Sequence, residues 1–307
     1  MLGRIVGAVR FKEPLSFHTS MHIGGPAEFF IEPHDIDDVR HALAFADQEA
    51  LPVTVIGGGT NVLFADRGFA GVVLKLQGIL ARARFDGVDA VVGAGAGLGG
   101  FIREAAAGGL GGLECFAGIP GTVGGALAMN VTVGPSRLID RCTQIYFAYP
   151  DGTLGEIRTA AGVAAADCAL PAGSLILGCR IPLSRRPSAH VHKEIHRHFK
   201  LKKSTEPLAL ASFGYVWRSP KGGESAAQLI ARVGLRGKRL KSLEISSKCA
   251  NFIVNRGGAT ASDVLAVMEM TYERVATHAG VALETDLRTS GWDAVPFQAR
   301  PLGVVPV

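Results

Sequence analysis

The sequence predicts an α+β protein with a larger N-terminal and a smaller C-terminal region. Three observations carry that expectation. Apolar runs of strand length alternate with segments of helical periodicity. Glycine supplies 40 of the 307 residues, about 13% against an average near 7%, and it comes in clumps. A basic stretch, residues 185–203, holds seven Lys or Arg, four His and one acid, Glu194, and so divides the chain.

Residues 1–15 read as a short leader or an edge strand. Residues 35–50 predict a helix, because Ile36, Val39, Leu43 and Ala46 recur at helical spacing and acids occupy the first turn, where the helix dipole favours them. Residues 51–57 read as a buried strand leading into Gly57-Gly58-Gly59, and residues 72–76 and 90–94 as further strands. Residues 98–107 predict a helix stopped by Gly108-Gly109. Between Gly108 and Gly125, eight glycines and one proline predict loop and tight turns. Residues 145–149 turn at Asp151-Gly152 into 154–158 as a hairpin, and 175–183 read as a strand. The basic stretch reads as a boundary helix. After it come a strand at 211–218, a helix at 226–233, a strand at 250–255, a helix at 261–280 started near Thr260 and Asp263, and a strand at 283–288. Residues 293–307 read as a loose tail.

Composition excludes several classes. Hydrophobic residues make up 48% and the net charge is only +5, which is not the signature of a disordered chain. The glycines lack the three-residue period of collagen, and no period of 20–50 residues marks a repeat protein. No run of 18 uncharged apolar residues predicts a membrane span, and the N-terminus lacks a signal-peptide pattern. The cysteines at 115, 142, 168, 179 and 249 form no CxxC pair, so neither a zinc site nor a disulfide framework is expected. A reducing, cytoplasmic setting follows as the simplest expectation.

Three glycine-rich segments ask for a ligand: Ile23-Gly24-Gly25-Pro26-Ala27, Val55-Ile56-Gly57-Gly58-Gly59-Thr60-Asn61, and Gly118-Ile119-Pro120-Gly121-Thr122-Val123-Gly124-Gly125. Consecutive small residues present bare N–H groups, and such nests bind phosphate oxygens. The second segment adds the Thr60 hydroxyl and the Asn61 amide and suits a pyrophosphate. A GxGxxG fingerprint with its ribose-binding acid is absent, and so is a Walker A loop.

These segments resemble those of the UDP-N-acetylenolpyruvoylglucosamine reductase family. The likeness extends through Thr19 to Ala27, Gly57 to Leu63, Gly68 to Val73, Gly111 to Cys115 running into Gly118 to Asn130, and Ser247 to Asn255 with Gly258 to Val264. It covers about residues 16–291. The resemblance implies a two-subdomain FAD-binding fold of the vanillyl-alcohol-oxidase/PCMH type plus a smaller C-terminal α+β substrate domain. The expected division is a leader at 1–15, the FAD-binding domain at 16–185, a basic linker helix at 186–203, the substrate domain at 204–291 and a tail at 292–307. FAD and NADPH are the implied cofactors, with Ile56, Gly57, Gly58, Gly59, Thr60, Asn61, Val62, Gly118, Ile119, Pro120, Gly121, Thr122 and Gly124 on the flavin nucleotide. The implied substrate is a UDP-sugar enolpyruvyl ether, UDP-N-acetylglucosamine enolpyruvate, reduced to UDP-N-acetylmuramate for peptidoglycan.

The family's catalytic pattern is altered here. Its proton-donating Ser falls on Tyr215, in Gly214-Tyr215-Val216-Trp217-Arg218-Ser219-Pro220. Its Arg falls in the run Ala164-Ala165-Ala166-Asp167, and its C-terminal Glu falls on Asp286. Tyr215 is a competent type of general acid, and Asp286 keeps a carboxylate. An alternative register puts Ser212 in the acid's place, though a three-residue shift on a strand reverses its face. A flavin- or nucleotide-binding protein without this turnover is the other reading of the same substitutions. Arg218 stands where the family often has a substrate-facing Lys, and is either a phosphate contact or a surface charge. Lys248 and Asn251 are candidates for the sugar-nucleotide, Asn251 alternatively for holding a turn. The basic run lacks the aromatic partners of a nucleic-acid site, and its histidines lack zinc-site spacing. Cys115 and Cys249 read as small buried apolar residues.

Overall fold

The computed structural model describes residues 2–158, 170–294 and 296. The chain divides into two compact units. The first comprises Met1–Glu13, Glu28–Gly58 and Ala70–Leu201, and the second Pro14–Ala27, Gly59–Phe69 and Lys202–Val307.

In the first unit, helix α1 (Ile36–Gln48) starts where Asp35 accepts a hydrogen bond from the N–H of Asp38, an N-cap that the sequence provides directly. A four-stranded sheet runs in the order Ala8–Pro14, Pro26–Glu32, Phe69–Leu74, Val53–Val55. The first of these is an edge strand, as one reading of residues 1–15 has it. The last is also an edge strand and not the buried one expected at 51–57. Only Val53–Val55 pair, parallel to Val72–Leu74, and Val53 and Val55 are exposed because they share a face of the strand that stays open to solvent. A five-stranded sheet runs in the order Leu154–Arg158, Gln144–Ala148, Leu175–Pro182, Asp89–Gly93, Ala83–Asp86. It includes the expected hairpin, paired antiparallel from Gln144↔Arg158 to Ala148↔Leu154. Helix α2 (Leu98–Ala107) ends at Gly108 as its glycines require. In the glycine-rich stretch that follows, Glu114 is buried and accepts from the N–H of Gly112 and from Arg186 Nη1, before the short helix α3 (Val123–Ala128). One core joins Val39 and Leu43 of α1, Val72 and Leu74, Phe101 and Ile102 of α2, and Ile145, Cys179 and Ile181. Helix α4 (Ser188–Thr205) buries Val191 alone among its residues.

The second unit holds helices α5 (Ala226–Arg232) and α6 (Ala261–Ala279). A capping box of Thr260 and Asp263 starts α6, and Gly280 at φ 66° ends it. A three-stranded antiparallel sheet pairs Arg239–Leu240, Leu243–Ile245 and Ile253–Asn255. Residues 250–252 turn into the last of these instead of continuing the strand expected at 250–255.

Two other expected strands break up. Within 211–218 Trp217–Arg218 pair antiparallel to Glu284–Thr285, and Ser212 makes an isolated antiparallel bridge to Val254. The rest is held by separate bonds to different partners: Gly214 N–H to Thr60 O, Val216 N–H to Asn251 O, and Asn255 N–H to Ala211 O. The strand expected at 283–288 becomes Glu284–Thr285 and then Arg288–Ser290, which pairs parallel to Val62–Phe64.

Residues 14–27 and 59–69 lie in this unit, although the sequence reading groups almost all of them with the first domain. Met21, Ile23 and Leu63 join its core with Val216, Trp217, Ile230 and Met268. The carboxylate of Asp66 also caps α6, accepting from the N–H groups of Ala261 and Ser262 at 2.7 and 3.0 Å. Among the described residues no helix is long and apolar enough to cross a membrane, and no group of three or more His, Cys, Asp or Glu is placed to hold a metal ion.

Candidate functional site

In the first unit two glycine-rich loops meet backbone to backbone. A Cβ on Gly57 would lie 2.5 Å from Thr122 Oγ1, and one on Gly58 would lie 2.6 Å from Gly121 Cα, so Gly58 admits no side chain without moving the opposite loop and Gly57 none without turning the Thr122 side chain. Gly118 and Gly121 take φ of 87° and 114°, a region that favours glycine. Among the described residues, the N–H groups of Gly57, Gly58, Gly118, Gly121 and Thr122 find no protein acceptor. The Thr122 hydroxyl instead accepts from Gly125 N–H and caps α3. Ile56 is buried, Ile119 packs on the core and Pro120 is exposed. Gly124 leaves no room for a side chain, since a Cβ there would lie 2.6 Å from Ala94 Cβ.

The remaining residues of the second glycine segment belong to the second unit. Gly59 is buried at φ 63° and its carbonyl accepts from Ser20 N–H and Oγ. Thr60 accepts from Gly214 N–H, Asn61 Nδ2 donates to Asp286 O at 2.9 Å, and Val62 pairs with Arg288. The first glycine segment folds onto its own unit, with Gly25 N–H on Ala65 O.

The second unit gathers most of the residues expected on substrate. Tyr215 is 46% exposed. Its hydroxyl donates to Glu206 Oε1 at 3.1 Å, and its ring meets Phe252 edge-on. Burial first, then the charge of Glu206, pushes its phenol well above the usual tyrosine pKa. Arg218 Nε donates to Asp286 Oδ1 at 3.0 Å, and Arg218 Nη1 lies 3.8 Å from Glu284 Oε2. Arg218 is thus part of an ion-pair cluster on its strand pair, not an isolated surface charge. The guanidinium carries five N–H donors, so these contacts leave donors for an incoming anion.

Asn251 corrects one expectation. It is 3% exposed, its Oδ1 accepts from Trp217 N–H at 2.9 Å and its Nδ2 donates to Trp217 O at 2.8 Å. Its amide copies a β-pair and fixes the backbone beside Tyr215 instead of facing a ligand. Lys248 Nζ donates to Lys203 O at 3.0 Å. Ser212, the alternative acid, donates its hydroxyl to Leu210 O. Cys115 and Cys249 are half-buried, not fully buried. Burial raises both thiols, which makes them poor nucleophiles. The alanine run 164–166 with Asp167, and Cys168, lie outside the described residues. Sequence reading missed Glu206, and the only signal available is its position three residues past the expected boundary helix and nine before Tyr215.

The comparisons with known proteins agree with this architecture. A family model described as FAD binding domain matches residues 27–158, and one described as UDP-N-acetylenolpyruvoylglucosamine reductase, C-terminal domain, matches residues 206–290. The UDP-N-acetylenolpyruvoylglucosamine reductase 2 of Symbiobacterium thermophilum is 36% identical over 93% of this chain and 93% of its own length. This chain belongs to the UDP-N-acetylenolpyruvoylglucosamine reductase family. The reductase of that name from Anaeromyxobacter sp. is 38% identical over 94% of the chain and 90% of its length. A crystal structure of UDP-N-acetylenolpyruvylglucosamine reductase (MurB) from Thermus caldophilus matches with a TM-score of 0.75 at 28% identity, covering 92% of this chain and 98% of that one. The fold is therefore that of the reductase family: an FAD-binding domain followed by the family's C-terminal domain. The open N–H groups of the first unit fit that cofactor, because a diphosphate needs several converging donors and close approach to bare backbone.

Proposed function

We propose that this chain is an FAD-dependent reductase that uses NADPH to convert UDP-N-acetylglucosamine enolpyruvate to UDP-N-acetylmuramate, in the cytoplasm. The observation that carries the reading is the match to reductases of that name over 93% of both chains. When bound, FAD supplies hydride transfer between NADPH and the enolpyruvyl ether.

The chain's own residues do the rest. The N–H groups of Gly57, Gly58, Gly118, Gly121 and Thr122 hold phosphate oxygens of the cofactor, and the bare backbone there excludes side chains that would compete. Gly59, Thr60, Asn61 and Val62 anchor the other end of that glycine segment. Tyr215 delivers a proton to the substrate carbon next to the one that receives hydride. Asp286 holds Arg218, and the free donors of Arg218 meet the negative charge of the UDP-sugar. Lys248, exposed and cationic, lies on the same unit and adds to the attraction of a diphosphate. Free thiols at Cys115, Cys142, Cys179 and Cys249 support a reducing compartment.

The test is spectroscopic. The purified chain is expected to carry flavin colour, to be bleached by NADPH and to regain colour when the enolpyruvyl substrate is added. Bleaching without substrate-dependent recovery would instead identify a flavin-binding protein that lacks this turnover.

A further inference from the structure

Tyr215 has a role in the reading above, but its nearest polar neighbours have none. Its hydroxyl lies 3.1 Å from Glu206 Oε1, and the same oxygen accepts from Lys202 Nζ at 2.8 Å. Glu206 is 6% exposed. It follows the last residue of α4, and its N–H donates to Lys202 O at 2.8 Å, so one turn of chain carries both the cation and the carboxylate. On its other side the phenol meets the Phe252 ring with centroids 5.1 Å apart. Two donors therefore converge on one oxygen of a buried carboxylate, and an aromatic ring fixes the plane of one of them.

A buried carboxylate is costly without a bonded cation, and Lys202 stands in that place. A phenol bonded to the same oxygen holds its proton firmly, since ionisation would set two anions about 3 Å apart.

We propose that Glu206, braced by Lys202, is a positioning residue for Tyr215: it takes the phenolic hydrogen bond and keeps the hydroxyl in place and protonated between turnovers. The proposal deepens the reading of Tyr215 as proton donor and rests on it. In that step the hydroxyl turns from Glu206 to the substrate, the phenolic O–H bond breaks, the electron pair released from the enolpyruvyl double bond forms the C–H bond, and the phenolate left behind regains its proton from water. Glu206 opposes the phenolate, so it hastens that recovery and restrains loss of the proton between turnovers.

The groups facing the phenol are few. Glu206 and Lys202 approach from the end of α4. Cys249 and Phe252 approach from the turn before strand Ile253–Asn255, and Arg236 acts on Cys249 from the segment after α5. Burial holds the Cys249 thiol above its usual value, so it is uncharged near neutral pH. Lys202 is bonded to Glu206. The charge nearest Tyr215 is thus that of Glu206, which Lys202 shares.

The test labels tyrosine with 13C at Cζ in the flavin-loaded protein and follows ionisation by NMR, with the Tyr215 signal assigned by its loss in Tyr215→Phe. In the wild type Tyr215 is expected to stay a phenol past the ordinary tyrosine value of about 10. In Glu206→Gln its midpoint moves down toward that value. A wild-type Tyr215 that ionises at the ordinary value overturns the proposal without any variant, and so does an unchanged midpoint in Glu206→Gln. The kinetic counterpart is the alkaline limb of kcat/KM, which is expected to appear at lower pH in Glu206→Gln than in wild type. The titration requires no turnover, so it separates the two ideas. A shifted midpoint in a protein without reductase activity supports the hold of Glu206 on Tyr215 and sinks the reductase reading alone.

Discussion

Gly58 and Gly121 lie so close that a single added methyl, the Cβ of alanine at Gly58, would sit 2.6 Å from Gly121 Cα. Gly58→Ala must therefore part the two loops and displace their open N–H groups. We expect flavin affinity to fall about tenfold or more, since each 1.4 kcal/mol of misfit costs about that factor. Flavin per chain after gel filtration reads it, with circular dichroism checking that the fold persists. Wild-type flavin content in this variant would remove the loop from the cofactor's site.

Asn251 takes both polar groups of the Trp217 backbone in a buried setting. Asn251→Ala strands a donor and an acceptor, and stability should fall by about 2–6 kcal/mol, on the basis of about 1–3 kcal/mol per buried unmet group. Urea unfolding measures it. Asn251→Asp should also destabilise, because a carboxylate cannot donate to Trp217 O. A variant of unchanged stability with a raised KM would return Asn251 to the substrate.

The pair Arg218–Asp286 is solvent-facing, with side chains 58% and 32% exposed, so it adds at most about 1 kcal/mol to stability. Arg218→Ala should leave unfolding nearly unchanged while kcat/KM for the UDP-sugar falls about tenfold or more, the size of a lost hydrogen bond to a charged group. Arg218→Lys should recover only part of it, because lysine lacks the planar fork. Equal losses in stability and in kcat/KM would mark Arg218 as structural.

Asp38 shows what pH does to the first unit. It is buried, and burial alone would raise its carboxyl. Hydrogen bonds from the N–H groups of His34, Val6 and Gly7 outweigh that and hold it below the usual range. A lowered folded pKa contributes stability that is whole above the unfolded value of about 3.9 and is lost as pH falls through the folded one. Asp38→Asn should flatten the acid limb of stability against pH and lower stability at neutral pH. An unchanged acid limb would show that the bonds do not bias the carboxylate.

Helix α2 was legible to the residue, because its apolar spacing and Gly108-Gly109 are both local signals. First-turn acids announced α1, and Thr260 with Asp263 announced α6, for the same reason, as such signals are written within a few residues. The strand expected at 211–218 was not legible. Its apolar alternation is real, but Thr60, Asn251 and Asn255 bond it one residue at a time, and those partners are distant in sequence. Gly57 and Gly58 declared a need for bare backbone without revealing that Gly121 and Thr122 are what they face. Glu206 was invisible as a partner of Tyr215, since nothing in the spacing says that the end of α4 folds back onto that phenol. Asn251 misled because a polar residue in a motif reads as a ligand contact until its partners are seen.

The most direct test of the central claim is product formation. Purified protein is mixed with NADPH and UDP-N-acetylglucosamine enolpyruvate, and UDP-N-acetylmuramate is quantified by mass spectrometry beside NADPH loss. The account predicts one product formed per NADPH oxidised, with Tyr215→Phe slower by about 10²–10⁴-fold, the usual weight of a general acid. NADPH consumed at the same rate with and without the enolpyruvyl substrate, and no product, would contradict it.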